Sequence, residues 1–148
     1  MRIAIGSDHA GFRLKEEMIT RLKAKGATVL DEGTHSEAST DYPGYAHAVA
    51  NDVLEKRADL GIVICGSANG VNITANKHHN VRSAIAWNED VAKLAREHND
   101  ANVLALPARF VDEALALRIV DVFLRAHFEG GRHQRRVDKI EPQPVRRS

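Results

Sequence analysis

The chain has 148 residues, a length typical of one domain that buries its own apolar core. Its 21 basic and 20 acidic residues nearly cancel, which excludes a general electrostatic attraction to nucleic acid or to an anionic membrane. The single cysteine excludes an internal disulfide, and no apolar run has the length of a membrane span or a secretory signal. We therefore expect a cytoplasmic protein.

The first part of the chain alternates short apolar strands with amphipathic helices. Residues 2–6 predict a strand, residues 12–25 a helix with apolar side chains at helical spacing, and residues 27–30 a second strand. A polar loop over 31–43 follows, and loops of that length in compact domains are often functional. The apolar residues within 45–54 form one face of a second helix.

Residues 60–76 are central to the interpretation of the whole chain. The β-branched apolar run 60–64 is typical of a buried strand in a parallel sheet. It ends at Cys65 and passes into Gly66-Ser67-Ala68-Asn69-Gly70, after which a helix can begin at Val71. A strand end, a small-residue loop and a helix N-terminus direct several backbone N–H groups to one point. That point favours a carboxylate, a phosphate or an enolate.

The only thiol of the chain stands at the mouth of this loop. A thiol beside a helix N-terminus ionises more readily than a free one, so Cys65 is a candidate reactive group. The alternative is that Cys65 is a small buried hydrophobic residue, as free cysteines usually are. Its place between a strand end and a Gly-Ser-x-x-Gly loop favours the reactive role.

The second part of the chain continues the alternation. Residues 82–86 and 102–105 predict two more strands. Asn88 is a good N-cap for a helix that runs to about His98, and residues 112–127 predict a long helix.

The overall pattern predicts one α/β domain that spans residues 1–148. Strand and helix alternate five times, which favours a three-layer α/β/α Rossmann-like fold with a five-stranded, mainly parallel sheet. The basic tail from about residue 141 is expected to be mobile. In such sheets ligands bind beyond the carboxyl ends of the strands. If the order is 2-1-3, Asp8-His9 and the Cys65–Gly70 loop share one cleft.

Several common motifs are absent. The glycine loop lacks the spacing of a nucleotide-binding P-loop, and no G-x-G-x-x-G dinucleotide fingerprint is present. A thiol phosphatase would need an arginine where Val71 stands. No two histidines have the i,i+4 spacing that places two metal ligands on one helix face. We therefore expect no structural or catalytic metal.

Six segments of the sequence together resemble one known family, the type B ribose-5-phosphate isomerases. The match runs in register to about Ile140, and the related galactose-6-phosphate isomerase subunits share much of it. The segments are Ile5–Phe12, Thr40–Pro43, Cys65–Gly70, Ala75–Lys77, His98–Leu104 and Glu129–Val137.

The resemblance implies an aldose–ketose isomerase that acts through a cis-enediolate without metal or organic cofactor. It implies Cys65 as the base between C1 and C2, Ser67 as the hydroxyl serving the O1/O2 proton, and His98 as the ring-opening acid. The implied substrate contacts are Asp8, His9, Asn99, Arg109, Arg132, Arg136 and the anion-binding backbone of Gly66, Ser67, Ala68, Asn69 and Gly70. The implied partners are a sugar phosphate and a second subunit, in a homodimer or a dimer of dimers with sites at the interface.

Two residues depart from the family pattern. Ala68 stands where many members have glycine, and it would be strained if its φ were positive. Pro107 stands where glycine is frequent and removes one N–H ahead of Arg109.

Structural interpretations also exist for several of these residues. Asp8 is suited to cap the first helix, and His98 to interact with the dipole at a helix C-terminus. Arg132 and Arg136 have the spacing of a solvated helical face.

The expected substrate is D-ribose 5-phosphate. One alternative is a six-carbon sugar phosphate, allose 6-phosphate or galactose 6-phosphate. Another is a non-catalytic sugar-phosphate sensor, which the joint presence of Cys65, Ser67 and His98 disfavours.

Overall fold

The computed structural model describes residues 1–144 of the chain. Within them, five strands form one sheet: β1 (Arg2–Ser7), β2 (Thr28–Asp31), β3 (Leu60–Cys65), β4 (Ser83–Ile85) and β5 (Val103–Pro107). Their order is β2-β1-β3-β5-β4, and each neighbouring pair is parallel. The predicted parallel sheet is confirmed, and β1 and β3 are neighbours.

Helices cover both faces of this sheet. Residues 1–144 contain six: α1 (Phe12–Ala24), α2 (Tyr42–Leu54), α3 (Asn69–Ala75), α4 (Glu89–Asn99), α5 (Glu113–Arg125) and α6 (Arg132–Val137). Apolar side chains of α1, α4 and α5 share one core with Ile62 and Ile64, and those of α2 and α3 share another with Val63. The fold class predicted from the sequence, three α/β/α layers, is therefore confirmed.

Glycines in the sheet allow α2 to pack closely against it. A Cβ added to Gly61 would lie 2.6 Å from Val49 Cγ1, and one added to Gly6 would lie 3.1 Å from Val49 Cγ2. Larger residues on β1 and β3 would therefore push α2 outward. The close contact holds the N-terminus of α2, with Tyr42, at the carboxyl edge of the sheet.

Several helix boundaries differ from the prediction by a few residues. Helix α2 begins at Tyr42 rather than Tyr45, because Pro43 is suited to the first turn of a helix, where its missing N–H has no partner. Helix α3 begins at Asn69 rather than Val71. Helix α5 ends at Arg125, because Ala126 adopts an extended conformation with ψ 150°.

Strand β5 is longer than predicted and includes Pro107. Its partner there is Cys65 of β3, whereas β4 ends at Ile85 opposite Ala105. The backbone groups of Pro107 and Ala105 both face β4. Because β4 ends at Ile85, no strand residue lies opposite Pro107 to accept a hydrogen bond from its nitrogen. The proline therefore removes no hydrogen bond from the ladder.

The start of the C-terminal tail contacts the body of the protein. Glu141 Oε1 accepts a hydrogen bond from the Asn80 N–H over 2.6 Å, and Oε2 lies 2.9 Å from His79 Nδ1. The predicted mobility of the tail and the single-domain assignment remain predictions, and residues 145–148 lie outside the described part. Among residues 1–144, no helix is both long and apolar enough to cross a membrane.

A pair of carboxyl groups makes the stability of the fold depend on pH. A hydrogen bond to the buried Asp52, burial and the Asp52 charge raise the pKa of Glu32 from 4.5 to about 7, although Arg57 opposes the shift. Between these values the folded chain holds a proton that the unfolded chain releases, so stability falls as the pH rises from 4.5 to 7.

Glu32→Gln should remove this pH dependence, because the amide still donates to Asp52 but does not titrate. We expect its free energy of unfolding to match the wild type near pH 5 and to exceed it by about 1 kcal/mol at pH 8, after allowance for solvent screening. Urea denaturation across this range measures the difference. Glu17→Gln, at an exposed position, is the control. Parallel pH curves for wild type and Glu32→Gln would contradict the prediction.

Candidate active site

The loops that follow β1 and β3 meet at the carboxyl edge of the sheet. The Asp8 N–H donates to the Ile64 carbonyl over 3.3 Å, which joins the two strand ends. A cleft of ≈ 490 Å³ lies between the loops. Its lining residues are Asp8, His9, Ala10, Tyr42, Cys65, Gly66, Ser67, Gly70, Arg109 and Phe110. The structure thus brings an acid, an imidazole, a thiol and a glycine loop together.

Cys65 is the last residue of β3 and lines this cleft at only 5% exposure. Its carbonyl accepts the Ala108 N–H over 2.9 Å, and the Gly66 carbonyl accepts the Arg109 N–H over 3.0 Å. These bonds continue the β3–β5 contact past the strand ends and fix the backbone around the thiol. The thiol is therefore buried, as expected for a small hydrophobic residue. It also lines a cleft, as expected for a reactive group.

Gly66, Ser67 and Gly70 of the predicted anion-binding loop line the cleft, whereas Ala68 and Asn69 are not among its lining residues. Among residues 1–144, the N–H groups of Ser67, Ala68 and Gly70 donate to no protein acceptor, whereas the Asn69 N–H is 3.3 Å from Ser67 Oγ. Unpaired N–H groups beside a cleft are suited to bind an oxyanion.

Ala68 adopts the strained conformation that its departure from the family pattern suggested. Its φ is 66° and its ψ is −12°, which lies in the left-handed region. A non-glycine residue pays about 1–2 kcal/mol there. The Ala68 methyl is fully buried, and its packing offsets part of this strain.

Asp8 serves as a cap and also lines the cleft. Its Oδ1 accepts the Gly11 N–H over 3.2 Å, at the 3-10 turn that precedes α1. The capping interpretation is therefore correct for one carboxylate oxygen. The second oxygen accepts no hydrogen bond from the described residues, and it remains available to a ligand hydroxyl.

The long loop between β2 and α2 holds His9 in one tautomer. The Thr40 N–H donates to His9 Nδ1 over 3.2 Å, and Thr40 Oγ1 lies 2.8 Å from the Tyr45 hydroxyl oxygen. Because Nδ1 accepts, the proton of the neutral ring is on Nε2. His9 therefore presents a hydrogen-bond donor.

Arg109 lies directly over Gly66. A Cβ at Gly66 would be 3.1 Å from Arg109 Cδ and Nε and 3.2 Å from Cζ. No carboxylate within residues 1–144 forms a salt bridge with Arg109. The glycine thus makes room for a guanidinium that has no acidic partner there, and such a group favours an anionic ligand.

Four predicted site residues, His98, Asn99, Arg132 and Arg136, lie at the opposite edge of the sheet. Helix α4 returns antiparallel to the strands, and its last carbonyl, that of Asn99, accepts from Arg82 Nε over 3.1 Å just ahead of β4. Helix α6 packs against this end of α4. A five-residue strand spans roughly 13 Å, so one chain does not bring Cys65 and His98 together.

His98 belongs to a cluster that the histidine spacing did not reveal. Its ring stacks on His133 with centroids 4.0 Å apart and planes inclined by 14°. Potential ligand atoms of His98, Glu129 and His133 all lie within 4.8 Å of one another. The sequence did contain one indication of this cluster, the i,i+4 spacing of Glu129 and His133. A search for pairs of histidines alone overlooks it.

The geometry of this cluster does not suit a metal ion. Imidazole lone pairs lie in the ring plane, so two nearly parallel stacked rings cannot direct them at one cation. Arg132 and Arg136 add positive charge nearby, which disfavours a further cation. The expectation of a metal-free protein stays a prediction.

A second cavity, of ≈ 580 Å³, lies away from the thiol at the amino edge of the sheet. Its arginines are already engaged. Arg82 donates to the carbonyls of Asn99 and Asp100 and to the Asp100 carboxylate, and Arg96 donates to Asp100 and the Ala101 carbonyl. The smaller cleft at the carboxyl edge has unpaired donors and a thiol, and it is therefore the better candidate site.

Three residues that line the cleft were not predicted as site residues: Ala10, Tyr42 and Phe110. Tyr42 belongs to the Thr40–Pro43 segment that carries part of the resemblance, so the signal was present without a role attached to it. Phe110 is 76% exposed at the rim, and nothing in its local sequence indicates this position.

Fold and cleft together define the class: a doubly wound α/β protein with a ligand site beyond the carboxyl ends of its strands. The profile of the Ribose/Galactose Isomerase family matches residues 3–140. Ribose-5-phosphate isomerase B of Escherichia coli K12 is 46% identical over 147 residues, which cover 99% of each chain. This chain belongs to the Ribose/Galactose Isomerase family.

Solved structures agree with this assignment. Ribose-5-phosphate isomerase B of Clostridium thermocellum is 51% identical, with a TM-score of 0.94 over 95% of both chains. The enzyme of Mycoplasma genitalium, solved with bound ribulose-5-phosphate, is 48% identical, with a TM-score of 0.90 over 94% of this chain and 93% of that one. The resemblance inferred from the sequence motifs is therefore confirmed.

Proposed function

We propose that this protein is a cytoplasmic aldose–ketose isomerase that interconverts D-ribose 5-phosphate and D-ribulose 5-phosphate through a cis-enediolate. The observation that carries the proposal is the thiol of Cys65 beside unpaired backbone N–H groups in one cleft. The similarity to a ribulose-5-phosphate-bound isomerase supports the choice of substrate.

The reaction needs a base close to a carbon-bound proton and a sink for the charge that develops on oxygen. Cys65 moves the proton between C1 and C2, and the Ser67 hydroxyl serves the proton on O1 or O2. The N–H groups of the 66–70 loop stabilise the enediolate, and each such donor is typically worth about 2.7–4 kcal/mol. Proton transfer of this kind requires no redox group and no metal.

Asp8, His9 and Asn99 are proposed to hold the sugar. The free carboxylate oxygen of Asp8 accepts a hydroxyl proton, and the Nε2–H of His9 donates to an oxygen. These contacts orient the open chain, so that the reacting carbon lies next to the thiol.

Phosphate binding is assigned to Arg109, Arg132 and Arg136. The two residues on α6 are exposed, and neither forms a salt bridge with any residue of 1–144. The planar guanidinium binds two phosphate oxygens at once. Because phosphate is remote from C1 and C2, this binding anchors the substrate without touching the reacting atoms.

Arg132→Ala and Arg136→Ala should weaken substrate binding with little effect on kcat. Each variant loses a charge-assisted contact, so KM should rise by roughly ten- to a hundredfold. Arg135→Ala on the same exposed helix is the matched control and should retain the wild-type KM. An unchanged KM in both variants would show that these arginines form only a solvated helical face and do not bind phosphate.

We further propose that the site forms between two copies of the chain, in a homodimer or a dimer of dimers. The carboxyl edge supplies Cys65, Asp8, His9 and Arg109, and the amino edge of the partner supplies His98, Asn99, Arg132 and Arg136. The separation of these two groups within one chain supports this arrangement, because no single chain holds both the base and the ring-opening acid in one cleft.

Co-expressed Cys65→Ala and His98→Asn chains should complement each other. A mixed dimer then has one intact site and one doubly defective site, so random pairing restores about a quarter of the wild-type rate from ribose 5-phosphate. Cys65→Ala paired with Arg109→Ala is the control, because both changes fall in the same cleft and no intact site forms. If the first mixture is no more active than its parents, the site is not shared.

A substrate panel tests the proposed function directly. Turnover is measured with ribose 5-phosphate, allose 6-phosphate, galactose 6-phosphate and unphosphorylated ribose. We expect ribose 5-phosphate to have the highest kcat/KM and ribose to be a poor substrate. Preference for a six-carbon phosphate would overturn the substrate assignment, and binding without turnover would indicate a sensor.

A further inference from the structure

His133 is a buried imidazole for which the proposed mechanism has no role. It is 4% exposed, and its Nε2 has no hydrogen-bond partner within the described chain. The nearest carboxylate oxygen, Glu129 Oε2, lies 3.5 Å away without hydrogen-bond geometry. One face of the ring is covered by His98 at a centroid distance of 4.0 Å. A buried polar group without a partner calls for an explanation, since burial without a hydrogen bond costs free energy.

We propose that His133 is a positioning residue, whose ring stacks on His98 and holds the His98 imidazole in the orientation that ring opening requires. This inference rests on the proposed function. It concerns the orientation of His98 rather than any contact of His133 with substrate.

The surroundings of His133 favour its neutral form. The groups that face it are His98 from α4, Arg132 and Arg136 from α6, and Glu129 from the preceding segment. Burial, His98 and the two arginines lower the pKa of His133, and only Glu129 opposes them.

A neutral His133 ring is compatible with a close stack on His98. Two imidazolium rings at 4.0 Å would repel each other, and His98 is the more exposed of the two. Stacking on a neutral ring instead limits the rotation of the His98 side chain. The arrangement therefore fixes the plane of His98, the ring proposed to act as acid.

Helix geometry shows why His98 benefits from such a contact. It occupies the last turn of α4, next to the left-handed Asp100 that ends the helix, and its side chain is half-buried. Helix ends fray and their side chains rotate freely. His133 projects from α6 and covers one face of the ring, so the remaining face and edge are left for a ligand.

The test compares His133→Ala with His133→Phe, which keeps an aromatic face but has no ring nitrogen. Initial rates are measured from ribose 5-phosphate and from ribulose 5-phosphate, with His127→Ala at an exposed position as the control. We expect His133→Ala to lower the aldose-side rate roughly tenfold and to leave the ketose-side rate unchanged. His133→Phe should restore most of the aldose-side rate and the wild-type pH profile.

Each other outcome overturns the proposal. A His133→Ala protein with the wild-type aldose-side rate shows that the stack is not needed. Failure of phenylalanine to rescue shows that a ring nitrogen matters, as in a proton relay. Equal losses in both directions, with a lower melting temperature, show a structural role. If the wild-type protein itself does not convert ribose 5-phosphate, the proposed function is wrong. The wild-type rate therefore distinguishes a failure of the proposed function from a failure of the proposed role of His133.

Discussion

Replacing Cys65 with alanine is expected to reduce turnover by roughly a thousandfold or more in both directions, because it removes the only base proposed at the reacting carbons. The thiol lies at the end of a central strand, where the Ile64 carbonyl accepts the Asp8 N–H and the Cys65 carbonyl accepts the Ala108 N–H. No other side chain in the described cleft combines this position with the ability to accept a proton from carbon. The loss should appear in kcat rather than in KM.

Stability measurements separate the catalytic role from a packing role. Cys65 is 5% exposed and belongs to the core beneath α2 and α3, so alanine leaves a small cavity there. Cys65→Ser has nearly the same volume and should also be inactive while it remains folded. A chelator should leave the wild-type rate unchanged. Activity that disappears with a chelator and returns with a divalent ion would contradict the metal-free mechanism.

The sequence was sufficient to predict the sheet and the meeting of its two main loops. The apolar run 60–64 is too hydrophobic for any position except the middle of a parallel sheet, and β3 lies between β1 and β5. Once β1 and β3 are neighbours, Asp8-His9 and the Cys65 loop must share an edge. The left-handed Ala68 was also foreseeable, because glycine at that position in relatives marks a positive φ.

Contacts between distant segments could not be predicted in the same way. The Thr40 N–H that fixes the His9 tautomer depends on the path of a loop with no periodic pattern. The stack of His98 on His133 joins two residues that are 35 positions apart in the sequence, and neither residue carries a local signal for this stack. Such pairs depend on tertiary packing, which propensity and spacing do not encode.

The division of the site between two edges of the sheet follows from topology rather than from any motif. Residues after a strand lie at its carboxyl end, whereas residues at the end of a crossover helix return to the amino end. His98 and Asn99 end α4, so one chain places them away from Cys65. The motifs alone treat all of these residues as one site, because a sequence does not record how far apart the fold places them.

His98→Asn should lose activity in one direction only. Ribose 5-phosphate is mostly a closed furanose, whereas ribulose 5-phosphate has no hydroxyl placed to close such a ring. Opening the furanose needs an acid at the ring oxygen and a base at the anomeric hydroxyl, and imidazole is suited to both near neutral pH. Proton transfer at carbon by Cys65 does not need His98. The variant should therefore convert ribulose 5-phosphate at a rate proportional to enzyme concentration.

From ribose 5-phosphate the same variant should behave differently. Its rate should reach a plateau as enzyme is added, because spontaneous ring opening in solution then limits the supply of open-chain aldose. The equilibrium position is unchanged, since both directions pass through that open chain. Initial rates in both directions over a range of enzyme concentrations measure the effect. Equal losses in both directions without a plateau on the aldose side would show that His98 does not open the ring, and a substrate-positioning role would then account better for its place in the site.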